Sequence, residues 1–344
     1  MKKIVIICFV CALLFSCKKD DKAVKKFYNN NVEETISFKR FDRALFSAPK
    51  TTLEAHLKDL QKEYPYMFQQ PLSDKEYLSM LIQMVSDTQM QKAQNIVEKE
   101  FANIDYLATD LTSAFARLKE IYPNTSLAKN IYTFILGPAD YSYGYANRVY
   151  MNDTIYFAIA LDVYALNKLD SHPYYTQYPQ YMKESLGKEF IAPDFMRMYL
   201  LNKTFLNIPF KSLSGNASLL DCIIEDGKLS YFVHKLLPNY ALNTILSYSS
   251  EQWQWCEKNE ANIWAYIIQS KLLYDTDRSK YLGLISIGPE SKGLSGSPAR
   301  VGNYIGYKIV EKYMEENKIS LDSLIKINDN SIILQKSMYK PVKK

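Results

Sequence analysis

Apolar residues recur at helical spacing through most of the first half of the chain. "TTLEAHLKDLQKEYP" opens with Thr51 and Glu54 in capping-box spacing and stops before Pro65, and "SDKEYLSMLIQMVSD" opens the same way with Ser73 and Glu76. "DTQMQKAQNIVEKEFANI" and "YLATDLTSAFARLKEIYP" continue the pattern, with Ile96, Phe101, Leu111, Phe115 and Leu118 at helical spacing. The middle changes character. Residues 130–137, 148–153 and 154–161 are β-branched and aromatic with turn residues between them. They predict three short strands in a small antiparallel sheet, with Asn152-Asp153 at a tight turn.

An irregular stretch rich in tyrosine and proline follows, "DSHPYYTQYPQYMKES". Helices then return at about 192–205, at 218–236, and at 249–274 with Ser249 and Gln252 as a capping box. "SPARVGNYIGYKIVEKYMEEN" places Pro298 in a first turn. "SLDSLIKI" reads as a short last helix and "NDNSIILQKSMYKP" as a closing strand or extended arm. No linker interrupts 40–340, so the pattern predicts one mostly helical α+β domain.

The amino terminus breaks this rhythm. Lys2 and Lys3 precede an apolar run from Ile4 to Phe15, then Ser16-Cys17. That is the layout of a secretory signal peptide, and the run is too short for a comfortable bilayer span. "LLFSC" has the form of a bacterial lipobox, with Leu14 at −3, Ser16 at −1 and Cys17 as the first mature residue. A plain signal peptide with a chance cysteine, or an uncleaved anchor, are the other readings. Residues 1–16 are therefore expected to be the signal, 17–37 a lipidated flexible tether, and 38–344 a single domain. Lys19-Asp20-Asp21 resembles a surface-export tag of some Bacteroidota lipoproteins and reads equally well as plain tether. The predicted location is the bacterial envelope, on a membrane, facing the periplasm or exported to the surface.

Composition narrows the function only slightly. Of 344 residues, 47% are hydrophobic and 23% charged, an ordinary globular balance. The net charge of +5 comes without any block of five like charges, which argues against nucleic acid. Past the leader and Cys17 only Cys222 and Cys256 remain. An oxidising envelope would let them pair, but each also stands at an apolar helix position where a free thiol packs well.

Candidate chemistry centres on "LLDCIIEDGKLSYFVHKLLP" at 219–238, with Glu225, Asp226, Lys228 and His234. The only histidines are His56, His172 and His234, and none lies within five residues of another. No His-Glu-x-x-His helix exists, and His234 lies at least about 12 Å along the helix from Asp226, so the two cannot share a zinc. No metal or other cofactor is expected. His234 reads as a surface residue stabilised by the helix dipole. Glu225 and Asp226 differ by about 100° around the helix, so one faces inward, paired with a cation such as Lys228 or Arg300. "GLSGSPARVG" is neither Gly-x-Ser-x-Gly nor a phosphate loop, and its Gly302 and Gly306 would permit close helix contact. In "WQWCEKNEANIWAYI", Trp253, Cys256, Glu260, Ile263, Trp264 and Ile267 share a face, which leaves Glu260 a buried carboxylate in need of a partner.

Several of these stretches together resemble the gliding-motility lipoprotein GldB family of Bacteroidota: "FKRFDRALF", "IALDVY", "LLDCIIEDGKLSYF", "WCEKNEANIW", "SPARVGNYIGYKIVEKYM" and "LQKSMYKP". The resemblance implies an envelope lipoprotein that works with gliding and type IX secretion machinery. It also implies distant similarity to zinc-dependent proteases, hence a degenerate zincin or gluzincin-like scaffold. There the helix "APDFMRMYLLNKTF" stands where His-Glu-x-x-His would be and offers Asp194 instead. Three functions remain. The first is a non-catalytic lipoprotein, held to the membrane through Cys17 and contacting other envelope proteins. The second is an envelope hydrolase built on Glu225, Asp226, Glu260 and Arg300. The third is a glycan- or peptidoglycan-binding module using the aromatic stretch 140–184.

Overall fold

The computed structural model describes residues 35–125, 130–140, 146, 148–152, 156–202 and 211–342. Cys17 and the expected signal and tether lie outside them as far as residue 34, as do Asp153, where the tight turn was expected, and residues 154 and 155. The tether expected over 17–37 ends sooner than that, because Ile36 is buried in the main core and Ser37 opens the first strand. Among the described residues four short strands form one sheet in the order β1-β2-β4-β3: β1 Ser37–Arg40, β2 Asn130–Phe134, β3 Val149–Asn152 and β4 Tyr156–Ala160. β1 and β2 are parallel, as are β2 and β4, and only β3 is antiparallel, its Asn152 opposite Tyr156. The sheet is therefore mixed, which corrects the expectation of a small antiparallel one. Parallel neighbours need a long crossover. Here Ser37 pairs with Asn130, and the entire N-terminal helical stretch lies between them, so no local pattern marks β1 as a strand.

Successive side chains leave a strand on opposite faces. Ile131, Phe157 and Ile159 enter the main core, while Tyr132 and Ala158 enter a smaller core with Phe41, Leu45, Leu57, Leu60 and Leu81. Helices thus cover both faces, as a largely parallel sheet requires. The segment "FKRFDRALF" pins the N-terminal edge. Arg40 grips Asp42 with two hydrogen bonds of 2.9 and 2.7 Å, and the Thr133 hydroxyl of β2 donates to the same fully buried carboxylate. Arg40 and Arg43 also donate to the Phe101 and Ala102 carbonyls, which end the Thr88–Glu100 helix. In "IALDVY", buried Asp162 accepts from the Leu136 and Gly137 amides and from the Tyr175 hydroxyl. Burial pushes its carboxyl above the usual range, against the pull of those donors.

The helices mostly begin where the capping chemistry indicates. Ser218 and Asp221 form a capping box on Leu219–Leu236, and Ser249 and Gln252 form one on Ser250–Gln269. The Lys75–Ser86 helix is capped by Asp74 rather than Ser73. Thr51 makes no cap, because a tight turn over Lys50–Thr52 precedes Leu53–Glu63. Pro298 lies ahead of its helix, which starts at Val301 behind an Arg300 with φ of +60°. The closing segment is not extended: Asp329 caps a helix over Asn330–Ser337. Its apolar run Ile332-Ile333-Leu334 reads alike for strand and helix, and burial of Ile333 against the main core decides the matter.

The core's centre is the crossing of Leu219–Leu236 with Val301–Asn317. A Cβ on Gly306 would lie 1.8 Å from the Ile223 carbonyl oxygen, and one on Gly227 would lie 2.5 Å from the Gly306 oxygen. The two backbones therefore touch directly. Gly302 is tight as well, its Cβ position 2.9 Å from the Leu284 oxygen. Among the described residues no helix is long and apolar enough to cross a membrane.

Candidate functional site

Each carboxylate singled out in the sequence is engaged in a different place. Glu225 is buried and accepts from the Lys211 and Ser212 amides at 2.9 and 2.8 Å, with the Asn330 side-chain amide at 3.3 Å. It closes a loop and the final helix onto Leu219–Leu236. Asp226, one step around that helix, faces the Ile191–Asn202 helix, where Arg197 Nη2 donates to it at 3.0 Å and to the Ser230 hydroxyl at 2.8 Å. Neither carboxylate pairs with the expected Lys228 or Arg300. The sequence missed Arg197 because its partner comes from a separate helix, and no spacing rule relates the two.

Glu260 has two partners: the Tyr304 hydroxyl at 2.8 Å and the Tyr339 hydroxyl at 2.8 Å. Burial, and next the carboxylate itself, push both phenols far above their ordinary range, so they stay protonated and keep donating. This clamp joins three of the sequence's distinctive stretches, those around Glu260, Tyr304 and Tyr339.

Lys228 is buried on the face beside Glu225 and donates to the Ile327 carbonyl at 2.6 Å. Desolvation lowers its ammonium to about 8, against the raising effect of Glu225. A lysine lowered in the fold binds its proton less tightly there than when unfolded. Its penalty on stability is therefore full below pH 8 and is relieved as pH rises from 8 towards the unfolded value. The stability deficit of wild type relative to Lys228→Met is expected to shrink by about 1 kcal/mol between pH 8 and pH 9. Urea melts of both proteins at the two pH values measure it, and the many tyrosines cancel in the difference. A gap that stays constant with pH would remove the idea.

The remaining candidates are packed rather than gathered. His234 is half-buried, not a surface residue: its Nδ1 lies 2.8 Å from the Tyr307 hydroxyl, and burial lowers the ring's affinity for a proton. The Tyr307 ring that covers it belongs to Val301–Asn317, a helix whose position the sequence does not reveal. Cys222 and Cys256 are both free. Cys222 lies by the Tyr281 hydroxyl at 3.9 Å, and burial lifts the Cys256 thiol to about 12, where it is inert as a nucleophile. In the aromatic stretch, Tyr164, Tyr175 and Tyr178 are core residues and Tyr174 and Tyr181 are half-buried against them, whereas Tyr150 is exposed and lies 5.9 Å from the Tyr156 ring. Residues 141–145 lie outside the described residues.

A second acid–base pair lies close to the first in sequence. Asp194, buried on Ile191–Asn202, accepts from Arg148 at 2.6 and 3.2 Å and from the Tyr164 hydroxyl at 2.8 Å. Asp194 and Arg197 thus turn one helix into the meeting point of two ion pairs, one to the segment before β3 and one to Leu219–Leu236. Among the described residues no group of three or more His, Cys, Asp or Glu side chains could hold a metal ion.

What these contacts define is a mostly helical α+β domain whose polar groups brace helix against helix. A family model, gliding motility protein GldB, matches residues 20–341, and the chain belongs to that family. It is a gliding-motility-related lipoprotein on that ground. No curated protein and no solved structure matches the chain.

Proposed function

We propose that the protein is a non-catalytic envelope lipoprotein, tethered by lipid on Cys17, that acts through protein contacts within the gliding-motility and type IX secretion machinery. The observation that supports this most is the Arg197–Asp226 pair at 3.0 Å. In a gluzincin-like arrangement, an acidic residue on a later helix completes a zinc site begun by His-Glu-x-x-His. On this reading Pro193-Asp194-Phe195-Met196-Arg197 on the preceding helix takes the place of that motif, with Asp194 for the glutamate and Arg197 for the second histidine. A guanidinium then supplies to Asp226 the positive charge a metal would supply. These side chains do not fit a metal, and the scaffold is a peptidase-like one in which an ion pair does the structural work.

The hydrolase reading needed Glu225, Asp226, Glu260 and Arg300 to converge in an open cleft. Glu225 faces the loop at 211–212 and Glu260 is held between two tyrosines. The test is crosslinking in living cells with wild type and Cys17→Ala, followed by identification of captured proteins. Wild type is expected in the membrane fraction, joined to gliding or secretion components, and Cys17→Ala is expected to lose both. Stoichiometric zinc in the purified protein, or peptide or glycan cleavage by it, would sink the proposal.

A further inference from the structure

We infer that the recess between Arg300, Ser247 and Tyr181 binds the C-terminal carboxylate of a peptide whose last side chain is apolar. The recess is small, with room for about one water molecule or a single carboxylate group below its rim, and its walls include Ser185, Tyr248 and Ile287. Its one charged lining group is Arg300. That guanidinium is half-buried, stands over the Tyr248 ring at 5.2 Å, and uses one donor, Nη2, on the Ser247 carbonyl at 2.6 Å. A guanidinium has five N–H donors. Among the described residues no carboxylate lies within 4.0 Å of this one. A half-buried cation without an anionic partner is costly, and here it is held in place on purpose-built backbone.

That backbone is strained at both ends of the contact. Ser247 has φ of +57° and Arg300 φ of +60°, a left-handed conformation that neither side chain favours. The strain persists because the surroundings fix it. Tyr248 donates from its hydroxyl to the Arg300 carbonyl at 2.7 Å. Buried Ser291 braces the loop ahead of Arg300, accepting from Val301 and donating to the Pro298 carbonyl. The recess is therefore formed before any ligand arrives.

The lining selects the ligand. One guanidinium balances one negative charge, which suits a carboxylate better than a phosphate dianion, and Arg matches a carboxylate in a two-point grip. The Ser247 hydroxyl, on a residue 8% exposed, makes no hydrogen bond among the described residues and can donate to the second oxygen. Ile287, 38% exposed, Ala299 and Gly288 form an apolar side for the terminal side chain. Gln252 takes no part: its oxygen accepts from the Ser249 amide and its nitrogen donates to Glu184. The inference stands apart from the reading of the Arg197–Asp226 pair, so either can fail alone.

Fluorescence anisotropy of the full chain in detergent with a fluorescein-labelled Gly-Ser-Ala-Ala-Leu peptide tests it. The free acid is expected to bind saturably and its C-terminal amide about tenfold more weakly or worse. Arg300→Gln should match the amide's loss. Because that change could disturb folding, Ile287→Glu serves as the second variant: it sets a carboxylate at the mouth, and should abolish binding without altering the thermal melt. Equal binding of acid and amide, no saturation with the acid, or unaltered binding to Ile287→Glu would each overturn the assignment. Displacement by inorganic phosphate at concentrations below the peptide's own dissociation constant would overturn the choice of a carboxylate.

Discussion

Gly306→Ala is expected to destabilise the protein by at least about 2–3 kcal/mol, by overpacking with no route to relaxation. Helix propensity alone predicts the opposite sign, since alanine in place of glycine within a helix gains roughly 1 kcal/mol. The added methyl would sit 1.8 Å from the Ile223 carbonyl oxygen, and the nearest obstacle is main chain, not a movable side chain. The two helices must separate, and the whole face around Ile223, Gly227 and Gly302 loosens with them. Urea denaturation with a second probe for two-state behaviour measures the loss. A variant within about 0.5 kcal/mol of wild type would show that the crossing relaxes, contrary to the geometry.

Asp42→Ala is expected to cost about 3–5 kcal/mol, the range for removing one partner of a buried ion pair. Its carboxylate is fully buried and takes three donors, two from Arg40 and one from the Thr133 hydroxyl. Alanine removes the buried anion beside the guanidinium, leaves it the half-exposed Glu98 at 3.4 Å as its one carboxylate, and takes away the acceptor of the Thr133 hydroxyl of β2. Thermal and chemical melts read the effect, and Arg40→Met with Asp42→Leu provides the control. The double variant should recover a large part of the loss, because no buried charge is then left alone. Equal losses in the single and double variants would mean that packing, not charge, holds this corner.

The carboxylates illustrate where sequence reasoning reached its limit. The pattern correctly showed that Glu225 and Asp226 must point different ways, because adjacent helical residues diverge by about 100°. It also marked Glu260 as a carboxylate in need of partners. It named neither set of partners. Lys228 and Arg300 were the near or conspicuous cations, yet Asp226 met Arg197, Glu225 met main-chain amides at 211 and 212, and Glu260 met two phenols. Such partners arrive from elements far apart in the chain, and tyrosine announces no charge at all.

The sheet failed for a related reason. β3 and β4 are adjacent in sequence and were visible as a hairpin-like pair, whereas β1 gains strand character only from β2, 93 positions away by the Ser37–Asn130 register. The last helix failed because three consecutive apolar residues, Ile332, Ile333 and Leu334, have no period to read.

The sequence by itself determined the helical α+β class, the start of the Leu219–Leu236 and Ser250–Gln269 helices, and the role of Gly302 and Gly306 as contact residues. It also carried the motifs of the GldB family, to which the chain belongs. These follow from local rules: period, capping and the bare backbone of glycine act within a few residues. Only the tertiary structure decided the parallel pairing of β1, the Arg197–Asp226 and Glu260–tyrosine contacts, and the recess in which Arg300 meets no anion among the described residues. Those depend on which side chains the packed helices bring within a few ångströms, and burial, not sequence distance, sets the strength of such contacts.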